Sequence, residues 1–372
     1  MTDYKYKVLL IAYNNLGKGG IQNQLIGIIR TLKDRVDFDV VIWDNKRDYY
    51  RSEVEKSARI IECFRNIGNN KLRQKADAFI RYQDIRKRID RIIKEYGPYD
   101  AIHCNNAFDA APCLQAAYDN HIPVRISHAH NTENPSLSKK LVYPAYKALY
   151  EQQRKRIRKY ATHMIGCSGQ VCDYFFGKNL GQTVHIGIDL SEFEKVEPDA
   201  VQSSEFQLLQ VGNFSEQKNQ LFTIEILRQL VKIRQDFHLT LIGGGGDYLH
   251  SVKDKIQSYE LADYVSILPP ETNVPQAMAN ADLFLFPSSF EGFGIVLIEA
   301  QSVGLNCFVS EVVTREANCG GLITLRLSRG PEQWAQAIAK YIDRKNNKRK
   351  GYNVDEFSVE NMGERIYQLY RA

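Results

Sequence analysis

The chain has 372 residues, 44% of them hydrophobic and 25% charged, with a mean hydropathy of −0.39, which leaves room for two cores. No apolar run approaches the roughly 18 residues of a membrane-spanning helix. The run from Val8 to Ala12 behind Lys5 and Lys7 is too short for a secretory signal, so the expected location is the cytoplasm. The net charge of +5 divides unevenly: residues 1–185 hold 31 Lys and Arg against 19 Asp and Glu, whereas residues 186–372 hold 18 against 25. That split suggests two domains, one of which prefers an anionic partner. Seven widely spaced cysteines without a C-x-x-C pair argue against a disulfide framework and against a zinc site.

In chain order, Tyr6 to Ala12 reads as a buried strand, Gly17 to Gly20 as a turn, and Gln22 to Leu32 as a helix by its apolar spacing. Phe38 to Trp43 is the next strand. A long charged helix covers Lys71 to Tyr96, strands cover Ala101 to Cys104 and Val124 to Ser127, and a basic helix covers Lys139 to Tyr160. The alternation restarts with a strand at Phe206 to Val211, a helix at Asn219 to Arg234, and a strand at His238 to Ile242 that runs into Gly243 to Gly246. Strands at Tyr264 to Leu268, Leu283 to Pro287 and Asn306 to Ser310 follow, with a helix at Ile295 to Val303. Such β-α alternation implies an α/β fold of two doubly wound parallel sheets. The acidic, irregular stretch Ile186 to Pro198 carries the hinge, which places an N-terminal domain at 1–185 and a C-terminal domain at 186–352. Residues 353–372 are expected to be a helix packing back toward the N-terminal domain.

The segment Pro287-Ser-Ser-Phe-Glu291-Gly-Phe-Gly-Ile-Val-Leu-Ile-Glu299 carries the sharpest chemistry. A strand, a glycine turn and a helix leave free backbone N–H groups at a helix N-terminus, where the macrodipole favours an anion. Two carboxylates a little over two helical turns apart suit sugar and ribose hydroxyls better than phosphate, which they repel. The plain alternative is a capped helix with two solvated glutamates.

This segment resembles the E-x7-E signature of retaining glycosyltransferase family 4, whose members have the GT-B fold. Val211-Gly-Asn-Phe-Ser-Glu-Gln-Lys218-Asn is similar to that family's V-G-R-x-x-x-x-K-[GN] motif, Gly19-Gly20-Ile-Gln to its N-terminal glycine loop, and Gly187-Ile-Asp189 to its hinge motif. Ser127-His-Ala-His130-Asn resembles transferases that build capsular, exopolysaccharide or O-antigen chains. The resemblance implies two Rossmann-like domains with an interdomain cleft, and transfer from a nucleoside-diphosphate sugar, a UDP-sugar in the first instance, with retention and with no metal or other cofactor. It assigns Glu299 to the ribose and Glu291 to the donor sugar. It gives Gly292, Phe293, Gly294 and Ile295 backbone contacts to sugar and diphosphate, and Lys218 the diphosphate charge. Gly19 and Gly20 approach the same phosphates, and the nucleobase sits near Ile267 to Pro270. The acceptor it implies is a glycan, free or linked to polyprenyl diphosphate. One position departs from the family: Asn213 stands where it carries arginine, which removes a fixed charge from the phosphate clamp.

Histidines two apart on a strand share a face, so His128 and His130 point together, to donor, to acceptor, into a polar core or to a metal. In the family one such histidine contacts the donor sugar, and both positions remain candidates here. Gln153 to Tyr160 and Lys71 to Lys94 offer basic faces, either for an anionic membrane surface at the inner face of the plasma membrane or simply solvated. Nucleic-acid binding is not expected, because aromatic interleaving and known motifs are missing. The dinucleotide fingerprint fails at Gln22, and Gly243 to Gly246 lacks the Lys-[Ser/Thr] of a P-loop. Three other readings stay open: a non-catalytic partner subunit, favoured by Asn213, a sugar-nucleotide epimerase, and a dehydrogenase.

Overall fold

The computed structural model describes residues 4–45, 48–63, 73–132, 143–194, 196–199, 204–344 and 349–372. The chain divides into two units. Unit 1 runs to Gly187 and takes back Phe357–Ala372, and unit 2 is Ile188–Glu356.

Unit 1 contains β1 (Tyr6–Ile11), α1 (Gly20–Leu32), β2 (Val36–Ile42), α2 (Arg51–Val54), β3 (Ala58–Glu62) and α3 (Arg73–Tyr96). It continues through β4 (Ala101–Cys104), α4 (Ala110–Asp119), β5 (Val124–Ala129), α5 (Tyr143–Tyr160), β6 (His163–Gly166), α6 (Gly169–Phe176) and β7 (Gln182–Thr183). The strands pair in the order β3-β2-β1-β4-β5-β6-β7, parallel throughout. Val8, Leu9, Leu10 and Ile11 are completely buried. An unbroken apolar run of this kind marks a strand covered on both faces.

Unit 2 contains α7 (Ser191–Glu194), β8 (Phe206–Val211), α8 (Gln220–Leu230), β9 (Phe237–Ile242), α9 (Asp247–Ser258) and β10 (Val265–Leu268). After these come α10 (Val274–Asn280), β11 (Leu283–Phe286), α11 (Ile295–Ser302), β12 (Cys307–Ser310), β13 (Leu322–Leu325) and α12 (Gly330–Ile342). Its six parallel strands run β10-β9-β8-β11-β12-β13. The core on one face joins Leu208, Leu239, Leu241, Leu283 and Leu285 to Trp334 and Ile338 of α12.

The last helix, α13 (Val359–Tyr370), is capped by Ser358, whose side chain accepts from Asn361 N. It belongs to unit 1 and packs on α1, burying Val359, Met362, Ile366 and Tyr370 with Ile26, Ile29 and Leu32. The α/β class with two parallel sheets is as the sequence implies. β5 runs two residues further than the sequence suggests, so His128 lies inside the strand. Residues 71–72 and 139–142 of the two basic helices lie outside the described residues.

Each sheet reverses its strand order once, between β1 and β4 and between β8 and β11. In open parallel sheets, ligands bind outside the carboxyl ends of the strands at such a reversal. Both polar clusters described next lie there.

Candidate functional site

In unit 2, β8 ends at Val211 and leads through Gly212 and Asn213 to Lys218, while β11 ends at Phe286 and leads to Glu291. Because β8 and β11 pair, the two loops meet. Ser289 N donates to Gln217 O at 2.8 Å, and Asn219 Nδ2 to Pro287 O at 3.0 Å. Lys218 Nζ then reaches Glu291 Oε2 at 2.7 Å and lies 4.6 Å from the centre of the Phe286 ring. Gln217 Nε2 donates to Glu291 Oε1 at 3.2 Å. The Lys218 side chain is 20% exposed and that of Glu291 9%. A pair this desolvated attracts more strongly than a surface pair, and removing either partner strands the other.

The turn into α11 depends on Gly294, whose φ of 85° is left-handed and whose added Cβ would press on Leu297 at 3.1 Å. This turn starts the helix beside Glu291, with Gly292, Phe293 and Gly294 buried and Ile295 half-buried. Glu299 lies one turn further than the helix start, half-buried. Its carboxyl group is pushed up to about 7 by burial, raised further by Glu192 and drawn down by Lys218. Lys218 thus acts on both glutamates. Asn213 is exposed and uses its backbone carbonyl to accept from Ser215 Oγ and Gln220 Nε2. Gly243 passes so close to the Gly212 carbonyl that no side chain fits there. Of the stretch Ile267 to Pro270, Leu268 and Pro269 are exposed.

In unit 1, the carboxyl ends of β4 and β5 hold neutral polar groups. His103 and His128 stack with ring centres 5.3 Å apart and join through His103 Nε2 and His128 Nδ1 at 3.0 Å. His128 is 1% exposed and also touches the Gln24 amide at 3.1 Å. His130 is half-buried, with Nε2 bonded to Asn105 Oδ1 at 2.9 Å and Nδ1 unpartnered. Burial pulls the His103 and His130 rings down to about 3 and the His128 ring well below its usual value, the last also through the neighbouring His130 and His103. His128 is therefore enclosed by protein, whereas His130 keeps a free ring nitrogen. Gly19 and Gly20 sit at the head of α1. Among the described residues no group of His, Cys, Asp and Glu has the geometry to hold a metal ion.

The basic helices spend much of their charge internally. Arg154 donates to the carbonyls of Phe175 and Tyr174, Arg158 to that of Phe176, and Arg156 stacks on Tyr82. Arg81 and Arg86 pair with Asp109 and Asp119. Lys87, Arg91, Lys155 and Lys159 remain exposed. Among the described residues no helix is long and apolar enough to cross a membrane.

With this geometry in hand, a family model of glycosyl transferases group 1 matches residues 192–353. That stretch is similar to a glycosyl transferase group 1 domain. It spans β8 to α12 and contains Lys218, Glu291 and Glu299. The chain is 27% identical over 354 residues to a Bacillus subtilis protein named as a glycosyltransferase, EpsF, covering 90% of this chain and 87% of that one. It is 21% identical to the capsular polysaccharide biosynthesis glycosyltransferase CapH of Staphylococcus aureus, covering 90% of each. Among solved structures it is similar to Anabaena HepE in complex with UDP and glucose, with a TM-score of 0.76 and 17% identity over 99% of this chain and 100% of that one. Domain, relatives and the GT-B fold agree on a glycosyltransferase.

The sequence reading passed over Gln217, the second hydrogen-bond donor to Glu291, and Gln24, His103 and Asn105 beside the two histidines. His103 gave the one available signal: an imidazole inside the four-residue apolar strand Ala-Ile-His-Cys needs buried partners.

Proposed function

We propose that the chain moves a sugar from a UDP-sugar to a hydroxyl of a glycan acceptor, with retention at the anomeric carbon, in the assembly of a surface polysaccharide. The observation that carries this reading is the pairing of Lys218 with Glu291 beside the head of α11, at the strand-order reversal of the group 1 domain. The hard step in glycosyl transfer is the departure of the diphosphate, and a cation with a helix N-terminus answers that charge. Glu291 then turns to the donor sugar and Glu299 to the ribose, while the backbone of Gly292 to Ile295 meets sugar and phosphate. In unit 1 we assign His130 to a sugar hydroxyl and Gly19 and Gly20 to phosphate. His128, closed in by His103 and Gln24, holds the site together.

HepE, captured with UDP and glucose, supports the choice of uridine, and the names of EpsF and CapH support the polysaccharide setting. No metal is invoked. In the same reading the protein works in the cytoplasm at the inner face of the membrane, on a glycan carried by polyprenyl diphosphate, with Lys87, Arg91, Lys155 and Lys159 facing anionic lipid.

The test is thermal denaturation with UDP, GDP and ADP, followed by a screen of UDP-sugars against glycan acceptors with NMR of the anomeric proton. UDP should raise the melting temperature, and the new linkage should keep the donor's anomeric configuration. Melting curves unmoved by all three nucleotides would favour the second reading, a partner subunit without donor binding, for which Asn213 speaks. Release of free epimerised sugar without acceptor would replace transfer by epimerisation.

A further inference from the structure

The two loops of unit 2 that meet at the strand-order reversal, residues 212–219 and 287–294, carry one lysine against two glutamates, Glu216 and Glu291. Asn213 adds no charge to them. That one cation is already engaged, with Lys218 Nζ against Glu291 Oε2 at 2.7 Å. Gln217 Nε2 and Gly292 N donate to the other carboxylate oxygen at 3.2 and 3.3 Å, and the centre of the Phe286 ring lies 4.6 Å from the ammonium. An arriving diphosphate therefore meets a neutral pair, in which the carboxylate repels what the ammonium attracts.

The pair does not open without compensation. The Glu291 side chain is 9% exposed, and a carboxylate that loses its cation at that depth is stranded until another donor replaces the ammonium. Ionised phosphate brings no such donor, because it only accepts. A sugar hydroxyl brings one.

We propose that Glu291 is a specificity-determining residue, which masks Lys218 in the free protein and yields it to a diphosphate that carries a sugar. The site then favours the sugar nucleotide over the bare nucleotide left after transfer. The masking stands on the geometry alone, and the discrimination rests on the glycosyl-transfer reading. Once the sugar has left with the acceptor, the hydroxyl donor is gone. Glu291 returns to Lys218 and the nucleotide is displaced.

The masking is tested without any ligand, by melting curves of Lys218→Met, Glu291→Gln and the double variant. The double variant should melt well above the level to which the two single losses add up, and additive losses would overturn the pairing. The discrimination is tested with UDP methylated on its terminal phosphate, which matches a UDP-sugar in charge and has no sugar hydroxyl, beside UDP-glucose and UDP-N-acetylglucosamine. Calorimetric titration of the unaltered protein should show the tighter of the two sugar nucleotides bound more strongly than the methyl ester.

In Glu291→Gln the ester should bind about tenfold tighter than in the parent, and the preference for the sugar nucleotide should fall by at least as much. An ester that binds both proteins alike, or the variant more weakly, would overturn the masking. A preference that is absent from the parent, or unchanged in the variant, would overturn the discrimination.

Crystals of the unaltered protein guard against misfolding of the variant. Soaked with the sugar nucleotide, they should show Lys218 on the diphosphate and Glu291 on a sugar hydroxyl, and a pair still closed over the bound nucleotide would overturn the proposal. If the unaltered protein binds none of these nucleotides, the glycosyl-transfer reading falls and the discrimination with it, while the melting curves still decide the masking.

Discussion

The two sheets reverse their strand order in the same way, yet they place opposite chemistry at the reversal. Beside β8 and β11 stand a lysine and two glutamates, held by one another and by the head of α11. Beside β4 and β5 stand imidazoles and amides, sealed until burial leaves the rings uncharged. One architecture therefore yields a charged cluster, suited to the diphosphate proposed for it, and a neutral cluster, suited to the hydroxyls proposed for it. What separates them is how the charge is treated: Lys218 and Glu291 neutralise each other across 2.7 Å, whereas burial keeps the histidines uncharged near neutral pH.

The sharpest break in this comparison comes from Lys218→Ala. It removes the charge proposed for the leaving diphosphate and strands Glu291, so kcat/KM should fall by about 10²- to 10³-fold and the UDP-induced rise in melting temperature should vanish. Adding Glu291→Gln should recover part of the lost thermal stability but none of the activity. Steady-state kinetics and melting curves of the single and double variants measure both. Activity within threefold of the parent would take the diphosphate away from unit 2.

Acid should separate the units next. In the folded chain burial holds the His103 and His130 rings down to about 3 and the His128 ring well below its usual value, against about 6.5 when unfolded. The unfolded chain thus binds more protons below pH 6.5, so stability that is complete above that value is lost as pH falls toward 3. Unit 2 lacks such a buried histidine group among its described residues. Trp43 lies in unit 1 and Trp334 in unit 2. Fluorescence of Trp334→Phe, which reports on unit 1, should show acid unfolding at a higher pH than that of Trp43→Phe. Coincident transitions would show that the histidines do not set unit 1's response.

The sequence showed the class of the fold through its strands, because runs such as Val8 to Ile11 and Leu283–Phe286 are apolar on both faces. It hid β3, where Ala-Arg-Ile-Ile-Glu carries charge in an edge strand paired on one side only, and α9, whose charged residues follow four glycines. The meeting of Lys218 with Glu291, 73 residues apart, follows from the pairing of β8 with β11, which no local pattern encodes. Gln24 was hidden for a similar reason. A glutamine in an amphipathic helix reads as solvated until β5 places His128 beneath it.

Glu299 offers a subtler contrast, because it is the group in unit 2 that burial holds close to neutrality. Its raised value, about 7 against 4.5, means that its contribution to stability is complete below pH 4.5 and lost as pH rises through 7. Glu299→Gln should therefore gain thermal stability relative to the parent above pH 7 and show little difference at pH 5. Binding runs the other way. A carboxylate accepts ribose hydroxyls better than a neutral acid, so affinity for UDP in the parent should rise about tenfold from pH 6 to pH 8. In Glu299→Gln it should stay level. Calorimetric titration at the two pH values decides, and equal slopes in parent and variant would release Glu299 from the ribose.

The smallest expected effect belongs to Asn213, which is exposed and bonds its neighbours only through its carbonyl oxygen, so a larger side chain meets no obstruction in unit 2. Asn213→Arg should leave the melting temperature of the free protein within about 2 °C, as surface changes usually do. If unit 2 is the charged half of the comparison, a guanidinium there joins Lys218 in facing the diphosphate and tightens UDP binding by about three- to tenfold at low salt. The gain should shrink as ionic strength rises, because the position is open to solvent. The uncharged control uridine should bind parent and variant alike. A variant that tightens on uridine as much as on UDP would owe its gain to contact with the nucleoside, and the phosphate clamp would then have to lie away from residue 213.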